Sequence, residues 1–267
     1  MAVLSWERAK EQYGVTMPVV RAMEEKGIVK LESMRIYRDP LDLMISRSDQ
    51  KQEEVKMQTG RDFFLNEEQQ LAVQTILKEW DQKDKSVYLL HGVTGSGKTE
   101  VYMELIDFVR KQGKQAIFLI PEIALTYQMV LRFYQRFGSR VSILHSRMSA
   151  GERYDQYEKA KNGEIDIMIG PRSALFTPFS NLGIIIIDEE HEESYKSETV
   201  PRYHARETAQ RRAEMEGAKL ILGSATPSVE SYYRAEKGEY CLLEMKRRAN
   251  RQKLPYVWIG DMRNEMR

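Results

Sequence analysis

The stretch VYLLHGVTGSGKTEVYMELIDFVRKQG, residues 87–113, decides how the rest of the chain is read. An apolar run of strand length ends at Gly92, and an amphipathic stretch of helical length opens at Lys98. Between them, Gly92, Val93, Thr94, Gly95, Ser96, Gly97, Lys98 and Thr99 match the spacing G-x-x-x-x-G-K-[ST] in the strand-before, helix-after setting it requires. The glycines let the backbone curl so that its N–H groups face inward at a helix N-terminus, which makes a nest for anions. Lys98 then reaches the outer phosphates of a nucleotide as a point charge. The Thr99 hydroxyl is an oxygen ligand of the kind a Mg²⁺ ion takes. A plain strand–turn–helix connection needs none of these residues.

Working outward, the same alternation continues. Apolar runs at 116–121, 141–146, 165–170, 183–188 and 219–224 read as buried strands, and helical patterns separate most of them. Continuous hydrophobic strands separated by helices mean an α/β fold, with a parallel sheet covered by helices on both faces. Ligands gather at the carboxyl ends of such strands. The unusual polar clusters of this chain fall there.

One of these clusters is GIIIIDEEHEESYKSETVPRYHAR, residues 183–206. A strand carrying Asp188 and Glu189 at its end, expected directly beside the strand of the glycine loop, would bring one carboxylate to a metal and a second to a water near the terminal phosphate. His191 would bridge to another strand end through Ser224 or Thr226 of GSATPS (223–228); the alternative for that segment is a plain turn into a helix. Glu190 carries no role that its chemistry assigns. Tyr195 and Tyr203 offer faces for base stacking, and Lys196, Arg202 and Arg206 offer contacts to phosphates. A solvated loop whose tyrosines pack on the next helix would look the same in composition.

The chain has 267 residues, 41 basic against 40 acidic, so nucleic-acid contact must rest on local patches. Its single cysteine excludes an internal disulfide framework and a multi-cysteine zinc site within these residues, and suits a reducing cytoplasm. No apolar run is long enough for a membrane span, and no leader pattern is present. Residues 1–45 read as two short helices, capped by Ser5 and Thr16 and stopped by Gly14 and Gly27, then a two-stranded ribbon from Ile28. That is a partial winged-helix layout, serving either DNA contact or protein contact. Residues 46–64 are polar and aperiodic, a linker; 65–245 form the α/β unit; 246–267 read as a crossing toward a further lobe.

Taken together and in order, LNEEQQLAV, GVTGSGKTEVY, LIPEIALTYQ, IGPRSALFTPF, DEEHEESYKSETVPRYHAR and LGSATPSVES resemble superfamily 2 helicases, and in detail the PriA family of replication-restart DNA helicases. The resemblance implies a RecA-like first motor lobe using ATP and Mg²⁺ in 3′→5′ unwinding. It implies adenine recognition by Gln69, single-strand contacts through Thr126, Arg172 and Ser173, and a loop after Asp188-Glu189 that couples DNA to hydrolysis. It also implies forked or single-stranded DNA, primosome proteins and single-strand-binding proteins as partners, a bacterial cytoplasmic setting, and zinc only in parts of the family protein outside these residues. A second lobe bearing an arginine is not among the 267 residues, so the chain reads as part of a motor whose own turnover is slow. Duplex DNA or RNA translocases of the RecG and Mfd type, a non-enzymatic assembly platform and a small-molecule kinase are the competing readings.

Overall fold

The computed structural model describes residue 4 and residues 6–31, 65–82 and 86–249. The chain divides into two compact units, Met1–Tyr37 and Arg38–Arg267. In the small unit, helix α1 spans Trp6–Tyr13 and α2 spans Met17–Glu25. Gly14 and Gly27 follow them with φ of +62° and +68°, a left-handed backbone that glycine adopts without a Cβ penalty. Thr16 stands at the N-cap in extended conformation, and Pro18 occupies the first turn, where its missing N–H costs nothing. The expected ribbon beyond Leu31, the linker at 46–64 and the tail beyond Ala249 lie outside the described residues.

The large unit is an all-parallel seven-stranded sheet. Its strands are β1 Val87–Gly92, β2 Gln115–Leu119, β3 Val141–Ile143, β4 Ile167–Gly170, β5 Leu182–Asp188, β6 Lys219–Ser224 and β7 Cys241–Met245, in the order β3-β4-β2-β5-β6-β1-β7. Helices α3 (Glu67–Lys78), α4 (Lys98–Lys111), α5 (Tyr127–Phe137), α6 (Ala150–Lys161), α7 (Ala205–Glu216) and α8 (Val229–Glu236) connect and cover them. Alternate residues of each strand feed two separate cores. Tyr88, Leu90, Phe118, Ile184, Ile186 and Ile221 pack with α3, α4 and α5 on one face. Leu89, Ile117, Ile185, Ile187, Leu220 and Leu222 pack with α7 on the other. This is why the four isoleucines of β5 are all buried: a central parallel strand has no solvent face.

Three expectations are corrected. The strand ending in Asp188 is not beside the strand of the glycine loop, because β6 pairs with both and separates them. Strand β7, which the sequence did not announce, pairs with the far side of β1. The runs at 116–121 and 141–146 leave the sheet early: Pro121 has no N–H to give a ladder, and after Leu144, whose N–H still bonds Ile169 O of β4, the chain turns toward α6.

Candidate nucleotide-binding site

The glycine loop sits between β1 and α4, at the carboxyl edge of the sheet. Gly95 and Gly97 have φ of +80° and +86°, conformations that side chains rarely adopt. The other glycine is required by crowding: a Cβ on Gly92 would lie 2.6 Å from Ser96 Oγ. The loop is braced from outside. Val93 N donates to Met245 O and Ala249 N to Gly95 O, so β7 and the residues just after it hold it from one side. Thr94 is exposed and Thr99 half-buried in the first turn of α4. Ser96 Oγ is buried and has no hydrogen-bond partner among the described residues.

Gln69 is brought to the loop, but as part of its frame. Its Oε1 accepts from Asn66 N in a capping box, and its Nε2 donates to Ser96 O at 3.0 Å. A Cβ on Gly97 would fall 2.1 Å from that Nε2. The expectation that this amide faces an adenine edge is corrected for this conformation, since it is buried against the loop itself.

Lys98 is buried, donates to Gly92 O at 3.0 Å, and lies 3.9 Å from Glu189 Oε1. The loop lysine and the acids of β5 therefore converge across β6. Asp188 is gripped at two atoms: Tyr102 OH donates to Oδ1 at 3.0 Å and Tyr195 OH to the main-chain oxygen at 2.7 Å. Burial, and then the neighbouring charge of Glu189, push the Asp188 carboxyl up to about 6. Burial and the same carboxylates hold both phenols well above their ordinary value, so each stays a donor. Glu189, with φ of +47°, is the one non-glycine residue with positive φ among the described residues. Such strain persists where surrounding structure imposes it, and here its neighbours on both sides are pinned.

His191 reaches the end of β6. Its Nδ1 lies 2.8 Å from Ser224 Oγ and 3.7 Å from Glu189 Oε2, and its Nε2 lies 3.4 Å from Thr226 Oγ1. Glu190 gains a role that its sequence position did not disclose. Its side chain is fully buried and accepts from Arg206 Nη1 (2.8 Å), Ser228 N (2.7 Å), Ser228 Oγ (3.1 Å) and Ser231 Oγ (2.9 Å). Arg206 is thereby removed from the set of exposed phosphate contacts: it is buried and neutralises Glu190, as an interior charge demands.

The loop after His191 folds back on itself through a bridge between Lys196 and His204 and a bond from Ser197 N to Tyr203 O. Arg172 Nη1 donates to the carbonyls of Ser194 and Lys196, fastening the 3₁₀ turn Arg172–Phe176 to this loop. Tyr195 is 1 % exposed, so the expectation that it offers a face to a base is corrected. Tyr203 is half-buried and meets the exposed Phe176 edge-on at 5.3 Å. Lys196 and Arg202 are exposed and, with Tyr203 and His204, line a concavity of about 650 Å³. Thr126 caps α5 by accepting from Met129 N, and the main-chain carbonyl of Ser173 accepts from Tyr157 OH. Phe176 and Tyr102 were missed in the sequence; GPRSALF and GKTEVY are the motifs that carry them.

The residues present fit a magnesium–phosphate group. The donors are oxygens only, the set a hard cation takes. Among the described residues no three His, Cys, Asp or Glu side chains gather to hold a metal unaided.

The large unit is a RecA-like α/β lobe with its polar clusters at the carboxyl edge of the sheet. The chain belongs to the family described as "Type III restriction enzyme, res subunit", whose model matches residues 62–229. Within that class its relatives are replication restart proteins PriA. The Bacillus subtilis protein is 47% identical over 249 residues, covering 93% of this chain and 29% of its own length. The Synechocystis protein is 41% identical over 256 residues, again 93% and 29%, and the Chlamydia trachomatis protein 48% over 203 residues, 76% and 27%. The resemblance to the PriA family read from the motifs is borne out, and the chain spans under a third of the length of these relatives. Among solved structures, RecG bound to a three-way DNA junction aligns with a TM-score of 0.52 at 24% identity, over 73% of this chain and 25% of that one, which supports the fold alone.

Proposed function

We propose that this chain binds ATP·Mg²⁺ at the carboxyl edge of its sheet and is the nucleotide-binding lobe of an ATP-driven DNA helicase of replication restart. The observation that carries this reading is the convergence of Lys98 Nζ on Glu189 at 3.9 Å, beside Asp188 and at the mouth of a glycine loop with two left-handed glycines. A bound Mg²⁺ would neutralise charge on the phosphates. Thr99 and Asp188 would hold it, Lys98 would contact the outer phosphates, and Glu189 would orient a water and take its proton. His191, hydrogen-bonded to Ser224 and Thr226, ties the acids to β6. Phosphoryl transfer asks the protein for positioning and charge neutralisation, and this edge supplies both.

Single-stranded DNA is the partner that best suits the exposed surface of Phe176, Lys196, Arg202 and Tyr203, with Arg172 setting the loop's shape. Ring faces beside cations bind strands without reading sequence. The relatives' names point to replication restart; 3′→5′ polarity, forked substrates and primosome partners belong to the same proposal. So does DNA or protein contact by the unit at 1–45.

For the 267 residues on their own we expect nucleotide binding with slow turnover. The described residues hold one lobe, and an arginine supplied from outside is worth about 10³–10⁵ in related phosphoryl-transfer systems. Equilibrium binding of a fluorescent ATP analogue with and without Mg²⁺, alongside phosphate release with and without oligo-dT, tests the proposal. Absence of Mg²⁺-dependent ATP binding would refute it. Stimulation by duplex DNA or RNA in preference to oligo-dT would favour a translocase of another class.

A further inference from the structure

Asp188 is held from both faces of the sheet. Tyr102 reaches it from α4, within the core formed on one face, and Tyr195 reaches it from the loop after β5, within the core formed on the other. Both rings are essentially unexposed, at 0 % and 1 %. One hydroxyl donates to the carboxylate and the other to the main-chain oxygen of the same residue. The space for the first phenol is reserved: Asp188 stands in register with Gly223, and a Cβ on Gly223 would lie 1.6 Å from Tyr102 Oη. The chain leaves the strand at once after Asp188, through the left-handed Glu189. Glu190 N still donates to Gly223 O at 3.0 Å, so the exit of the chain is fixed by the backbone, and the two hydroxyls act on Asp188 itself.

We infer that Tyr102 and Tyr195 are paired positioning residues that fix the Asp188 carboxylate for a divalent cation carried by a bound nucleotide. This rests on the ATP·Mg²⁺ reading above. Neither tyrosine touches nucleotide or metal; they act through Asp188. A core role alone would need the rings and not the hydroxyls, since phenylalanine fills nearly the same volume. The inference also removes Tyr195 from any base-stacking surface.

The test separates hydroxyl from ring and metal from nucleotide. In the 267-residue chain, affinity for a fluorescent ATP analogue is measured in EDTA and across a Mg²⁺ titration, for wild type, Tyr102→Phe, Tyr195→Phe and Gly223→Ala. Loss of a group that orients a metal ligand weakens metal affinity by about 10–100-fold. The Mg²⁺ concentration for half-saturation of the nucleotide complex should therefore rise about tenfold in Tyr102→Phe, less in Tyr195→Phe, and as in Tyr102→Phe when the Gly223→Ala methyl displaces the phenol. Affinity in EDTA and the melting temperature of the two phenylalanine variants should stay near wild type. Mg²⁺ half-saturation within twofold of wild type in both phenylalanine variants would overturn the inference, as would equal losses with and without Mg²⁺. Lys98→Ala separates the two levels: if it leaves ATP affinity unchanged, the nucleotide reading itself fails, whatever the tyrosines do.

Discussion

Replacing Asp188 by asparagine should make the nucleotide-free protein more stable while removing its response to magnesium. The carboxyl is pushed from 3.8 to about 6 by burial and by Glu189. A raised carboxyl binds its proton more tightly folded than unfolded, so stability falls as pH climbs through the window between 3.8 and 6. The full cost is present above that window and absent below it. The difference of about 2 units corresponds to about 3 kcal/mol at roughly 1.4 kcal/mol per unit. Because one edge of the residue meets solvent, we expect about half of that or more to appear. Asparagine keeps an oxygen to accept from Tyr102 and carries no charge. At pH 8 and without nucleotide, Asp188→Asn should gain about 1.5–3 kcal/mol, or roughly 3–12 °C at 2–4 °C per kcal/mol for a unit of this size. At pH 4 the two proteins should melt within about 1 kcal/mol of each other. ATP·Mg²⁺ at a thousandfold excess over the wild-type Kd should reverse the order, since it adds about 4.1 kcal/mol to the protein that binds it. Melting curves at pH 4, 6 and 8, with and without ATP·Mg²⁺, read all of this. An apo Asp188→Asn protein no more stable than wild type at pH 8 would refute the account of Asp188 as a carboxylate held at a cost by burial and by Glu189.

Lys98→Ala should lower ATP affinity at least tenfold and leave phosphate release at background, while the apo melting temperature moves by only a few degrees; calorimetric titration and a coupled phosphate assay decide it. Arg206→Leu strands a fully buried carboxylate and should cost about 3–5 kcal/mol in a urea titration. Adding Glu190→Leu should recover more than 1 kcal/mol of that loss, and strict additivity would show that the pair is not coupled. Tyr203→Ala and Phe176→Ala should each weaken oligo-dT binding by about 1–3 kcal/mol in fluorescence anisotropy. Tyr195→Phe should leave oligo-dT binding unchanged, and an equal loss there would restore the reading of Tyr195 as a stacking residue.

The glycine loop and the acids were legible because their chemistry needs particular residues at fixed spacing inside a recognisable strand–turn–helix pattern. The central strands were legible because burial on both faces leaves an unbroken apolar run. Strand β7 was not, since CLLEM lies at the sheet edge and alternates burial with exposure. Arg206 and Tyr195 were misread for a shared reason. A cation or a phenol in a polar stretch looks exposed until a buried partner is known, and their partners, Glu190 and the Asp188 carbonyl, sit at the end of a strand that composition marks only as acidic. Glu190 was silent on the same ground: its role is defined by Ser228 and Ser231, about forty residues further along the chain.

The position of β6 bears directly on what the edge can hold. Neighbouring strands lie about 4.8 Å apart, and the ligands of a parallel sheet gather beyond the carboxyl ends of its strands. With β6 between them the strand axes stand about 9–10 Å apart, and the gap is closed from one side by the reach of Lys98 and from the other by Asp188 and Glu189. The intervening strand ends in Ser224, whose hydroxyl meets His191, and leads through Thr226 to the serines that hold Glu190. The strand between them thus carries the hydroxyls that register where the acids are. Gly223 completes the arrangement: it is the residue of β6 opposite Asp188, and its missing side chain admits the phenol that aims the carboxylate into the gap.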